Sequence, residues 1–149
     1  MIIGVCTDDV AIENQVNKSA ASDPAVFGKA YLVFNRNIPD LKVDEDLFLV
    51  AHGAAFGDED QPVIGSKSNA FYLTASDLNS NLHVFPLNYK GRIFVDACYS
   101  ADPGKAGWSF VEKFKEIIVQ SFPGVKVFGR TGSVGGPVLK PGDPNWKEA

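Results

Sequence analysis

The chain has 149 residues, 45% of them hydrophobic and 21% charged, the proportions of a single globular domain large enough to bury a full core. A formal net charge of −4 argues against a broad nucleic-acid surface, which needs clustered Lys and Arg. Uninterrupted apolar runs reach only about five residues, far short of a membrane span. Met1–Asp9 has neither the basic region nor the apolar length of a secretory signal, so a cytoplasmic chain, or one exported without such a signal, is expected.

Ile2–Cys6 predicts a short apolar strand. Thr7, Asp8 or Asp9 can cap the helix that follows over Val10–Ala21, with Val10, Ile12 and Val16 as its apolar positions. Asp23-Pro24 ends that helix. Ala30–Phe34 reads as a second strand, and Leu47–Ala51 as a third that runs into His52-Gly53. A long polar loop is expected over Ala54–Asn69, then a short hairpin arm at Ala70–Leu73. A helix over Thr74–Leu82 follows, with Thr74 or Ser76 as its cap. Ile93–Val95 forms a buried strand that leads into Asp96-Ala97-Cys98. Lys105–Phe122 carries the clearest helical pattern, with Trp108, Val111, Phe114, Ile117, Ile118 and Ser121 on one face. Pro123-Gly124 stops it, Val125–Phe128 is a fifth strand, and Gly129–Gly136 is a glycine-rich loop. Residues 137–149, with three prolines, read as an irregular tail, and no sixth strand is evident after Gly136.

Short strands that are apolar on both faces and separated by helices indicate a three-layer α/β sandwich around a mostly parallel sheet of about five to six strands. One domain is expected over 1–149. Ligands in such folds bind beyond the carboxyl ends of the strands. Those ends carry Thr7-Asp8-Asp9, His52-Gly53, Asp96-Ala97-Cys98 and Arg130-Thr131-Gly132. With a third strand between them, Cys6 and Cys98 would stand roughly 10 Å apart, too far for a disulfide. Cys6 reads as a packed small side chain. Cys98 reads as a nucleophile beside His52, the minimal equipment for thiol catalysis.

Competing chemistries fail on the letters. A phosphatase loop needs an arginine where Gly104 stands, and a receiver domain needs an acceptor aspartate where His52 stands. Gly129–Gly136 matches neither a Walker A loop nor a dinucleotide fingerprint. Two Cys and two His at these spacings are too few for zinc, and no cofactor is expected. Asp58-Glu59-Asp60 reads as a solvated acidic loop, and His83 as surface or core filler.

An apolar strand ending in His-Gly, with another ending in Asp-Ala-Cys, resembles the signature of caspase-like (clan CD) cysteine peptidases. The likeness is nearest to clostripain-like and metacaspase-like enzymes and to the self-processing peptidase domains of bacterial toxins. It spans Leu47–Gly136 and extends to Phe71-Tyr72-Leu73-Thr74, Asp77-Leu78 and Gly107-Trp108 with Phe110. The resemblance implies a cysteine endopeptidase acting on a protein or peptide, as a processing module of a bacterial effector or toxin. Cys98 would attack the scissile carbonyl, His52 would move the proton, and the backbone N–H groups of Gly53 and Cys98 would form the oxyanion hole. Asp96 matches the acid that receives an Arg or Lys before the cut, with Asp8 or Asp9 adding to it. The Gly129–Gly136 loop, with Arg130, Thr131 and Gly132, would form another pocket wall. No third residue need orient the histidine in that family. Calcium activation, found among those relatives, would fall to Asp58-Glu59-Asp60. Lys105, Lys113, Lys115 and Lys140 are too scattered for the basic site of toxin domains triggered by inositol phosphate. Two rivals stand beside this reading. One is a silent domain of the same fold that binds a partner protein, and the other is a cysteine-dependent acyl- or amide-transfer enzyme with the same pair.

Overall fold

The computed structural model describes residues 1–34, 37–54, 61–66 and 71–149. Its first elements are β1 (Ile2–Gly4), α1 (Val10–Ser22), α2 (Pro24–Phe27), β2 (Ala30–Leu32), β3 (Leu47–Val50) and β4 (His52–Ala54). There follow β5 (Val63–Ser66), β6 (Phe71–Leu73), α3 (Ala75–Asn81), β7 (Arg92–Asp96), α4 (Phe110–Ile118), β8 (Lys126–Gly129) and β9 (Lys147–Glu148). Six strands pair in the order β2-β1-β3-β7-β8-β9, all parallel except the last pair. Alternate residues of the central strands face opposite ways. Leu47, Leu49, Ile93 and Val95 pack with Leu78 of α3 and with Phe110, Phe114 and Ile118 of α4. Phe48, Val50 and Phe94 pack with Ile12 and Val16 of α1, Phe27 of α2, and Trp146. The result is the expected three-layer α/β sandwich around a mostly parallel sheet.

Local chemistry sets the helix starts. Asp9 caps α1 by accepting the Ile12 amide at 3.2 Å. Thr74 and Ser109 open α3 and α4 with reciprocal capping boxes to Asp77 and Glu112. The Ser109 box explains why α4 starts later than the apolar pattern predicts: residues 105–108 form turns, and Gly107 sits at φ +82°. Among the described residues, no helix is long and apolar enough to cross a membrane.

Two expectations need correction. The polar stretch 54–69 contains a strand, β5, which pairs antiparallel with β4 and β6 in a second, three-stranded sheet. The tail 137–149 has irregular backbone for most of its length but is packed, and it supplies the sixth strand as β9. Its prolines interrupt regular structure, yet Val138 and Trp146 are buried. The Trp146 ring lies 5.1 Å from that of Phe94, and its Nε1–H donates to the Lys140 carbonyl at 3.1 Å.

Candidate functional site

The paired strands β3 and β7 set Val50 opposite Asp96. His52 and Cys98 each stand two residues past that pair, so the sheet delivers imidazole and thiol to the same edge. The backbones of Gly53 and Cys98 are in contact there. A Cβ at Gly53 would overlap the Cys98 carbonyl oxygen and lie 3.0 Å from the Cys98 nitrogen. Position 53 therefore demands glycine for a close backbone approach. That freedom accommodates the Cys98 backbone. It also sets side by side the two residues expected to form the oxyanion hole.

Cys98 is partly exposed. Its sulfur accepts the Val134 N–H at 3.2 Å, and the thiol donates to the Val134 carbonyl at 3.6 Å. The chain turns sharply after it, with Tyr99 in the left-handed region at φ +58°, uncommon for a side chain of that bulk. Backbone bonds then join this turn to the glycine-rich loop: Tyr99 N–H to the Gly132 carbonyl and Ala101 N–H to the Arg130 carbonyl, both at 2.8 Å. Asp102 accepts the Gly132 N–H at 2.6 Å. Buried Ser100 donates its hydroxyl to Val95 O and accepts from Arg130 N–H. The loop is thus fastened to the Cys98 turn.

The His52 imidazole is about a third exposed, and its Nε2 lies 3.0 Å from Oδ2 of Asp9, which is nearly buried. Asp96 is 3% exposed and already has partners. Oδ1 accepts Arg130 at 2.6 Å, and Oδ2 accepts the Gln15 amide at 3.1 Å. Burial pushes the Asp96 carboxyl above the usual aspartate range, with Arg130 and Gln15 pulling the other way. The guanidinium of Arg130 also stacks over Trp146 at 5.4 Å. The open carboxylate expected for a basic side chain is therefore covered by the chain's own arginine.

The structure brings together Cys98, His52, Gly53, Asp9, Asp96 and the Arg130–Gly132 loop. Asp8 and Thr131 are exposed, and Gly132 is half-buried at φ +65°. A cleft of about 540 Å³ lies beside this cluster, between α1 and the Gly136–Val138 segment. Gln15 connects the two, lining the cleft while donating to Asp96 and to the Gly136 carbonyl. Cys6 is buried and unpaired, and burial pushes its thiol up to about 11. His83 is exposed. Asp58-Glu59-Asp60, named for calcium, lies outside the described residues. Among those described, no three His, Cys, Asp or Glu side chains converge to hold a metal.

Gln15, Ser100, Asp102 and Val134 escape the sequence reading because no local pattern marks them. Each acquires its role from a strand or loop that folding brings in from elsewhere. Asp9 carried a signal, its place at a strand end, but nothing in the letters aimed it at His52. No protein-family model matches the chain, and no curated protein and no solved structure matches it either.

Proposed function

We propose that the chain is a caspase-like cysteine endopeptidase in which Cys98 and His52 cleave a peptide bond. The observation that carries this reading is the shared edge: the adjacent parallel strands β3 and β7 lead into His52-Gly53 and Ala97-Cys98, with Gly53 packed on the Cys98 backbone. His52 takes the thiol proton, and sulfur adds to the scissile carbonyl. The tetrahedral oxyanion is held by backbone N–H groups. The C–N bond then breaks as His52 returns the proton to the leaving amine, and water hydrolyses the thioester. Preference for Arg or Lys before the cut carries a condition: the substrate's cation must take the place Arg130 holds on Asp96.

A second reading, a silent domain of this fold that binds a partner protein, is favoured by one feature. Sulfur accepts the Val134 N–H, and the imidazole lies 3.0 Å from the Asp9 carboxylate. Labelling by peptidyl acyloxymethyl ketones, read by intact mass with and without calcium, separates the two. We expect one adduct, on Cys98, absent in Cys98→Ala and much slower in His52→Ala. Cys6, only 1% exposed and with its thiol pushed up to about 11, should stay unlabelled until the chain is unfolded. No adduct with any probe would overturn the peptidase reading in favour of the silent domain. Equal rates for Arg- and Leu-terminated probes would remove the basic preference alone.

A further inference from the structure

We propose that Asp9 is the positioning residue of His52, fixing the tautomer in which Nδ1 is the basic nitrogen; the catalytic side of this proposal rests on the peptidase reading above. A carboxylate only accepts hydrogen bonds, so at 3.0 Å the Asp9 Oδ2 requires the proton of a neutral His52 to sit on Nε2. Nδ1 is left with the lone pair that can receive the Cys98 proton.

Asp9 is well placed to hold such a partner still. It is 5% exposed and fixed at the mouth of the 13-residue helix α1, where Oδ1 accepts the Ile12 amide. A helix cap uses one carboxylate oxygen, and here the second is aimed at the imidazole. Asp8 next to it is exposed, so only one of the two adjacent acids takes this position. The fold supplies the alignment, because β1, which leads into Asp9, pairs directly with β3, which leads into His52.

The decisive variant is Asp9→Asn. Asparagine caps helices as well as aspartate does, so the fold should persist. To keep the cap, the amide must turn its oxygen toward the Ile12 N–H, which faces its NH₂ group at His52 Nε2. Nε2 must then accept, and the proton moves to Nδ1, which no longer has a lone pair to receive the Cys98 proton. Histidine ¹⁵N spectra should give His52 the Nε2–H tautomer in the native chain and the Nδ1–H tautomer in Asp9→Asn. The chain has two histidines, so His52→Ala assigns the signals. Turnover of a peptide substrate should fall in kcat by about a hundredfold or more, as wrong-tautomer variants do, with KM and the thermal midpoint little changed.

An Nδ1–H tautomer in the native chain would overturn the proposal, as would an unchanged tautomer in Asp9→Asn. An inverted tautomer with undiminished kcat would also overturn the catalytic role. A native chain that has the Nε2–H tautomer but neither labels nor cleaves would overturn the peptidase reading itself, and the spectra distinguish that failure from failure of the Asp9–His52 pairing.

Discussion

Asp96 and Arg130 form the most deeply buried ion pair at this sheet edge, with side-chain exposures of 3% and 13%. Removing one member of such a pair leaves a charge with no partner in a poor solvent, typically costing about 3–5 kcal/mol. For Arg130→Ala the cost should depend on pH. Burial sets the Asp96 carboxyl above its ordinary range, so the folded chain binds the proton more readily than the unfolded one. Stability therefore falls as pH rises from the ordinary aspartate value through the raised one. Loss of the guanidinium widens that interval upward. Urea unfolding should show the largest deficit for Arg130→Ala at neutral pH and a smaller one in mild acid, where Asp96 is protonated. Adding Asp96→Asn should restore much of the loss at neutral pH. A deficit independent of pH would mean that Arg130 acts by packing on Trp146 instead of by charge.

At the scale of elements, the tail shows how much a short strand can matter. β9 is two residues long, and its pairing with β8 offers few hydrogen bonds. Its anchor is Trp146, which covers Phe94 at the sheet centre and lies under the Arg130 guanidinium. Trp146→Ala should destabilise the chain by about 3–5 kcal/mol, read as a shift in the urea midpoint. It should also speed labelling of Cys98, because the Arg130 loop is fastened to the Cys98 turn; an unchanged labelling rate would show that loop to be held without the tail. The sequence anticipated elements with strong local signals: two-sided apolar strands, helices opened by Asp9 or Thr74, and the apolar stripe of α4. It missed β5 and β9 because a strand of four or two residues, set among turn formers, has no local periodicity to detect. Their stability comes from partners distant in sequence. The edge carrying His52 and Cys98 was legible from apolar runs of similar length before each. The covering of Asp96 by Arg130 was not, since two opposite charges 34 residues apart say nothing of their separation in space.

For the molecule as a whole, the site lies where the two sheets meet. β3 ends at Val50, and the chain enters the smaller sheet at His52, so the imidazole occupies the junction itself. The contact that fixes this junction is Gly53 against the Cys98 backbone. A methyl group at position 53 would push on a carbonyl, which has no rotamer with which to yield, so one backbone must move. The large sheet, with cores on both faces and β3 wholly buried, has less freedom to give than the small sheet. Gly53→Ala should therefore displace the small sheet with His52 and leave the six-stranded sheet intact. The expected cost is about 1–3 kcal/mol, the usual range for forcing extra volume into packed surroundings. Far-UV circular dichroism should be nearly unchanged. Probe labelling of Cys98 should fall to the level of His52→Ala, because the thiol remains while His52 is moved away. Simple alkylation by iodoacetamide, which needs only access to sulfur, should persist. If both reactions survived at the native rate, the Gly53 contact would be packing without a role in aligning the pair. If both were lost together with the circular dichroism signal, the two sheets would fold as one cooperative unit, and the junction would be a condition of the fold as much as of the site.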